Sequence, residues 1–251
     1  MRQNFFSVII LTTVFLSVCF FKGSAQTTQK KITSRPYAWY SYGNTLQLAP
    51  KWLLSNDISE RHFFDNGKQL QFTLRSKINY TLGQNWNAGI GFAYFLSNTF
   101  DPASTSTLAV PELRPFQEFN NTQHLHRFTI SHRYRIEERY FRKVVNDKLA
   151  NGYNFNFRFR YKFEVEYRLY QSVNKAQSLS FKAGDEIMLN AGNNIVLNTF
   201  EQNRVNTAIS YQASSNFTFD LGYTYGFQQR RSGDYNEANI LRFTIQHKIK
   251  I

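Results

Sequence analysis

The chain has 251 residues, with 30 Lys and Arg against 17 Asp and Glu, a formal net charge of +13, and a single cysteine. A hydrophobic fraction of 42% with only 12 glycines and 5 prolines excludes a disordered, collagen-like or low-complexity chain. One cysteine excludes a disulfide scaffold, and a mean hydropathy of −0.47 argues against a bundle of transmembrane helices while leaving membrane-spanning strands open.

The N-terminus reads as a secretory signal. Met1-Arg2-Gln3-Asn4 is a short basic start, and Phe5 to Phe21 is an apolar run broken only by Ser7, Thr12, Thr13 and Ser17. Lys22-Gly23-Ser24-Ala25 then offers small residues where a signal peptidase reads, which places cleavage between Ala25 and Gln26. The rival is an N-terminal anchor helix, since the run is close to spanning length. A lipoprotein box at Leu16-Ser17-Val18-Cys19 fits less well, because Val18 is large for the position before a lipidated cysteine. Cleavage would remove Arg2, Lys22 and Cys19, leaving a cysteine-free chain of net charge +11. The expected organisation is a signal peptide over 1–25, a flexible segment over 26–36 and one β-domain over 37–251.

From there the dominant period is two. Residues 37–48, with Trp39, Tyr40, Tyr42, Leu46 and Leu48, look like a first strand. Leu70, Phe72, Leu74, Ile78, Tyr80 and Leu82 then oppose Gln71, Thr73, Arg75, Lys77, Asn79 and Thr81. Trp86, Ala88, Ile90, Phe92 and Tyr94 alternate with small or polar residues, and Phe128, Ile130, Tyr134, Ile136 and Tyr140 oppose a face rich in arginine. The clearest stretch is Tyr153 to Tyr167, where every odd residue is apolar or aromatic and every even one is polar. A helix would smear those aromatics around its circumference, whereas a strand sorts them onto one face. Phe217 to Phe227 and Leu241 to Ile251 repeat the pattern.

Such strands build either a soluble sandwich with the apolar face inward or a transmembrane barrel with that face toward lipid. Three features favour the barrel. The apolar faces are mainly Phe and Tyr, which are hard to pack as a core without voids. The strands run to about 11–19 residues, where soluble sheets typically use about 5–6. Connections also alternate in length: short near Ala49-Pro50, Gly83-Gln84, Asn120-Asn121-Thr122, 172–177 and 214–216, and longer over 64–68, 97–111, 143–151, 191–202 and 229–238. The expectation is therefore an all-β, antiparallel, up-and-down transmembrane barrel of about ten strands, with twelve as the alternative. Ten strands over 51–251 start and end on the periplasmic side, and 37–48, an eleventh that spoils the count, either lies against the barrel or belongs to a set of twelve.

Turning the polar faces inward gives a basic ladder of Arg127, Arg133, Arg135, Arg139, Arg158, Arg160, Lys162 and Arg204, with Glu112, Glu137, Glu164 and Glu166 among them. Arg61, Arg75, Lys77, Arg114, Arg168, Lys182, Arg242, Lys248 and Lys250 share these faces, as do Asp57, Glu118, Glu186 and Asp220. A hairpin centred near residue 147 would set Glu137 near Arg158, Arg135 near Arg160 and Arg133 near Lys162. One reading is an anion-favouring lumen of a small pore or transport-related barrel. The other is a structural or surface-interaction barrel whose interior is filled by an Arg–Glu network. An outer-leaflet lipid-modifying enzyme is a third.

Catalytic patterns are not evident. Ser131 and His132 are adjacent and face opposite ways on a strand, and the same holds for Glu137 and Glu138. His124 and His126 share a face at a spacing a metal could bridge, but no third ligand is evident nearby. No phosphate loop, nucleophile elbow or H-E-x-x-H is present, so no catalytic residue, metal or cofactor is assigned, and the chain reads as more a non-enzyme than an enzyme.

The segment His132-Arg133-Tyr134-Arg135-Ile136-Glu137-Glu138-Arg139, with Glu112-Leu113-Arg114-Pro115 before it and Phe200-Glu201-Gln202-Asn203-Arg204 and Gly222-Tyr223 after it, resembles the domain of unknown function 2490 family over about 37–251. That resemblance implies a barrel in the outer membrane of a Gram-negative cell, Bacteroidota among the sources, and carries no activity or substrate. The chain ends in Ile251 where many outer-membrane proteins end in an aromatic. Expected partners are membrane lipid and lipopolysaccharide, the barrel-assembly machinery and small anions, with no nucleic acid, for a monomer.

Overall fold

A computed structural model describes residues 30–193, 195, 197–230 and 232–249. The expected signal peptide over 1–25, residues 26–29 and Lys250 lie outside the described residues. The described chain forms β1 (Ile32–Ala49), β2 (Trp52–Phe63), β3 (Gln69–Gly83), β4 (Trp86–Ser97), β5 (Val110–Leu125), β6 (Phe128–Val145), β7 (Lys148–Gln171), β8 (Ser178–Ala191), β9 (Phe200–Gln212), β10 (Phe217–Gln229) and β11 (Tyr235–Ile249). Each strand pairs antiparallel with the next, and β1 closes the barrel by pairing parallel with β11, from Ile32 opposite Tyr235 to Leu46 opposite Ile249.

The ten expected strands correspond to β2–β11, and the extra segment is a full member of the wall. It starts at Ile32, so residues 32–36 belong to a strand and not to a flexible linker. β2 and β11 would otherwise each present an unpaired edge, and β1 satisfies both. An eleventh strand also sets the two ends of the wall at opposite rims, where ten strands would have set them at one.

One rim carries the connections 50–51, 84–85, 126–127, 172–177 and 213–216, and the other carries 64–68, 98–109, 146–147, 192–199 and 230–234. Two expected turns are displaced. Asn120, Asn121 and Thr122 continue β5, with Asn121 opposite Trp86, and the chain reverses at His126-Arg127. The expected loop at 143–151 shrinks to Asn146-Asp147, both left-handed with φ of 49° and 56°. That conformation matches strand twist in a two-residue hairpin, and Asn and Asp tolerate it. The register inside this hairpin matches the expectation: Arg133 faces Lys162, Arg135 faces Arg160 and Glu137 faces Arg158.

The wall is inverted relative to a soluble fold. Tyr40, Ile58, Leu74, Ile90, Phe119, Ile136, Phe159, Phe181, Ile209, Leu221 and Phe243 represent all eleven strands on the outside, each more than a third exposed. A contiguous apolar coat of this kind is far larger than a water-facing surface carries. Inward residues are mostly polar, and only small apolar clusters occur inside, such as Ala93, Phe95 and Phe116.

Candidate functional site

The alternation of β5, β6 and β7 aims Glu112, Arg114, Glu118, Arg135, Glu137, Arg139, Arg158 and Arg160 into the barrel, where they meet as a connected ionic layer. Glu137 is its hub. One carboxylate oxygen accepts from Arg160 at 2.6 Å and lies 3.5 Å from Arg135, while the other accepts from Arg114 at 3.1 Å and lies 3.5 Å from Arg158. Each of those four arginines holds a second acid. Arg114 pairs with Glu112 at 2.7 Å, Arg135 with Glu118 at 2.5 Å, Arg160 with Glu186 at 2.7 Å, and Arg158 with Glu201.

The layer extends outward from there. Arg139 bridges Glu112 at 2.6 Å and Glu201 at 2.9 Å, Arg133 reaches Glu186 at 2.6 Å, and Lys77 of β3 pairs with Glu118. Among the described residues seven cations thus share five carboxylates, supplied by β3, β5, β6, β7, β8 and β9. Ionised groups persist away from water only when paired and hydrogen-bonded, and bidentate guanidinium–carboxylate contacts supply both.

The layer is dry. Glu118 and Glu137 are 1% exposed, and so is Phe116, while Met188 of β8 and Thr224 of β10 are 0% exposed. Thr73 of β3, Ala93 of β4 and Ser59 of β2 are 2%, 2% and 3% exposed, and Thr73 and Ser59 border the larger cavity. On either side the interior opens. Toward the longer-loop rim a cavity of about 700 Å³ is lined by Arg61, Arg75, Arg114, Arg139, Arg142, Arg158, Arg160, Arg204 and Arg230, with Glu112 and Glu201 the acids among its lining. Toward the other rim a cavity of about 360 Å³ is lined by Lys77, Arg133, Lys162 and Glu164, among others.

A family model described as Protein of unknown function (DUF2490) matches residues 37–237. The chain belongs to this family. No curated protein matches the sequence. Among solved structures, the chain is similar to LpxR from Salmonella typhimurium at 10% identity, covering 78% of this chain and 83% of that one with a TM-score of 0.47. It is also similar to the NanC porin at 12% identity, 80% and 92% coverage and a TM-score of 0.44. OmpT of Vibrio cholerae follows at 12% identity, 75% and 60% coverage and 0.34.

Within this member of the family the sequence-derived residues divide. Arg133, Arg135, Arg139, Arg158, Arg160, Glu112 and Glu137 enter the ionic layer. Lys162 pairs with Glu164 at 2.5 Å nearer the short-turn rim, and Arg204 donates to Gln202 at 2.8 Å beside the larger cavity. Arg127 does not line the lumen: it occupies the β5–β6 turn and is exposed, because the reversal falls at 126–127 and not at 120–122. Glu166 is half-buried opposite Thr129 and Lys182, outside the layer.

Glu201 is the member that alternation misses. Its neighbours Gln202 and Arg204 face inward, so period two would send Glu201 outward. A register shift between Met188 and Leu189 pairs them with Gln202 and Phe200, leaving Glu201 as the unpaired residue of a bulge, and it is 5% exposed. The histidines find local roles. His124 lies 3.1 Å from the Thr129 hydroxyl, His126 is in the turn, and His132 lies 2.9 Å from the Tyr161 hydroxyl on the outer face.

Proposed function

We propose that this protein is a monomeric outer-membrane barrel whose lumen is closed by the Glu137-centred layer, and whose larger basic cavity opens to the cell exterior. The dry centre of the layer carries this reading, since an open pore would leave Glu118 and Glu137 in contact with water. The apolar coat on all eleven strands supports membrane insertion, with lipid and lipopolysaccharide as surroundings and the barrel-assembly machinery as the route of entry. A wall closed by its own first and last strands needs no second copy to complete it. The cell is Gram-negative on this reading, with the longer-loop rim facing out.

Planar-bilayer recording tests the closed lumen. The unmodified protein should show no steady single-channel conductance, whereas replacing Arg114 and Glu137 together by alanine should open a path that favours anions. Steady conductance of the unmodified protein would instead establish the second reading, a small anion-favouring pore, which the arginine excess in the larger cavity supports.

A further inference from the structure

Beyond the ionic layer, three inward arginines converge on one tryptophan and have no acid of their own. Trp39 of β1 lies opposite Arg61 of β2 and opposite Arg242 of β11 in the strand register. The Arg61 guanidinium stacks 3.9 Å from the Trp39 ring centre, and those of Arg204 and Arg242 lie 5.9 Å from it. Trp39, Arg61 and Arg204 line the larger cavity.

None of the three arginines makes an ion pair within 4.0 Å among the described residues. The charged groups that weigh most on Arg61 are cations, Arg204 first and then Arg114, Arg160 and Arg75. Glu186 and Glu201 act on Arg204 from a distance but are engaged by Arg133, Arg160, Arg139 and Arg158, and Glu164, which faces Arg242, is engaged by Lys162. Four buried donor atoms also lack any protein acceptor: Nε1 of Trp39 and Nε of Arg61, Arg204 and Arg242. Buried donors are ordinarily paired, and like charges held together in a low-dielectric interior repel. A cluster with both features is complementary to an anion that brings several acceptor oxygens.

We infer that Trp39, Arg61, Arg204 and Arg242 form a binding site for a small oxyanion of charge −2 or more, reached from the longer-loop rim. Guanidinium forks engage two oxygens at once, which favours phosphate, sulfate or a polycarboxylate over chloride. Arg61, seated over the indole, is pre-oriented, so little side-chain entropy is lost when the anion arrives. The site is independent of whether the lumen conducts, so its test and the bilayer test fail separately.

Tryptophan fluorescence addresses it directly. The protein has three tryptophans, and Trp52 and Trp86 lie exposed on the outer wall, so a W52F/W86F protein reports from Trp39 alone. That protein, folded in detergent micelles, is titrated with sodium sulfate, inorganic phosphate and citrate against sodium chloride at equal ionic strength. At least one divalent or trivalent anion should produce a saturable emission change that chloride does not. R204Q and R242Q should each weaken it at least tenfold, about 1.4 kcal/mol. Without anion, both variants should melt no lower than their parent, because a repelling charge is gone. Responses identical to chloride, or unchanged affinity in both variants, would overturn the site. Variants that melt well below the parent without anion would show that these arginines serve only the fold.

Discussion

Glu137→Gln keeps the size and one hydrogen-bonding oxygen of the side chain but removes the charge that four guanidinium groups share at 2.6–3.5 Å. Removing one partner of a buried ion pair typically costs about 3–5 kcal/mol. Here each arginine retains a second carboxylate, on Glu112, Glu118, Glu186 or Glu201, so none is left wholly uncompensated. The cost should therefore fall at the lower end, about 3 kcal/mol. It comes from the layer moving from seven cations over five carboxylates to seven over four. Denaturant unfolding in micelles, extrapolated linearly to zero denaturant, measures it. Glu138→Gln is the internal comparison: Glu138 faces outward, accepts one bond from Gln117 at 3.2 Å, and its loss should cost under about 0.5 kcal/mol. A loss below about 1 kcal/mol for Glu137→Gln would mean that water already solvates the hub, and would refute the dry layer.

Two further outcomes probe the wall. A β-carbon at Gly91 would lie 2.6 Å from the Ser76 carbonyl oxygen and 2.7 Å from the Lys77 β-carbon, beneath the Phe116 ring, so Gly91→Ala should destabilise by about 1–3 kcal/mol. Its unfolding midpoint reports this, and an unshifted midpoint would contradict the close approach of β3 and β4. The parallel closure is open to cross-linking, because Tyr42 lies opposite Ile245 across the β1–β11 seam. Paired cysteines at 42 and 245 should oxidise to a mobility-shifted species on gels, while the pair at 42 and 241, four residues out of register, should not. Bridging of the second pair and not the first would disprove the register.

Alternation in the sequence determined the strand faces and the lipid-facing aromatics, because period two is a local property of an extended backbone, and a hairpin centred near residue 147 supplied the β6–β7 register. Tyr153 to Tyr167 reads that way with no reference to any neighbour, and the structure keeps every even side chain from Asn156 to Lys162 inward. Beyond that one hairpin, what needs a partner strand was not legible. Asn120–Thr122 have turn-forming chemistry, yet pairing with β4 holds them in β5 and carries Arg127 out of the lumen. Glu201 enters because a bulge against β8 breaks the alternation, and a bulge is a relation between two strands. Residues 37–48 pattern as a strand by themselves, but only pairing with the edge of β11 extends it back to Ile32 and closes the wall. Charge behaves the same way. Composition set an excess of cations, and their distribution was decided in three dimensions. Glu137 neutralises arginines from β5, β6 and β7 at one point, while Arg61, Arg204 and Arg242 converge on Trp39 without an ion pair of their own among the described residues. Side chains on one face of a strand are fixed by the chain's own geometry, but the partners they meet across a lumen depend on strand tilt and closure, which no local pattern encodes.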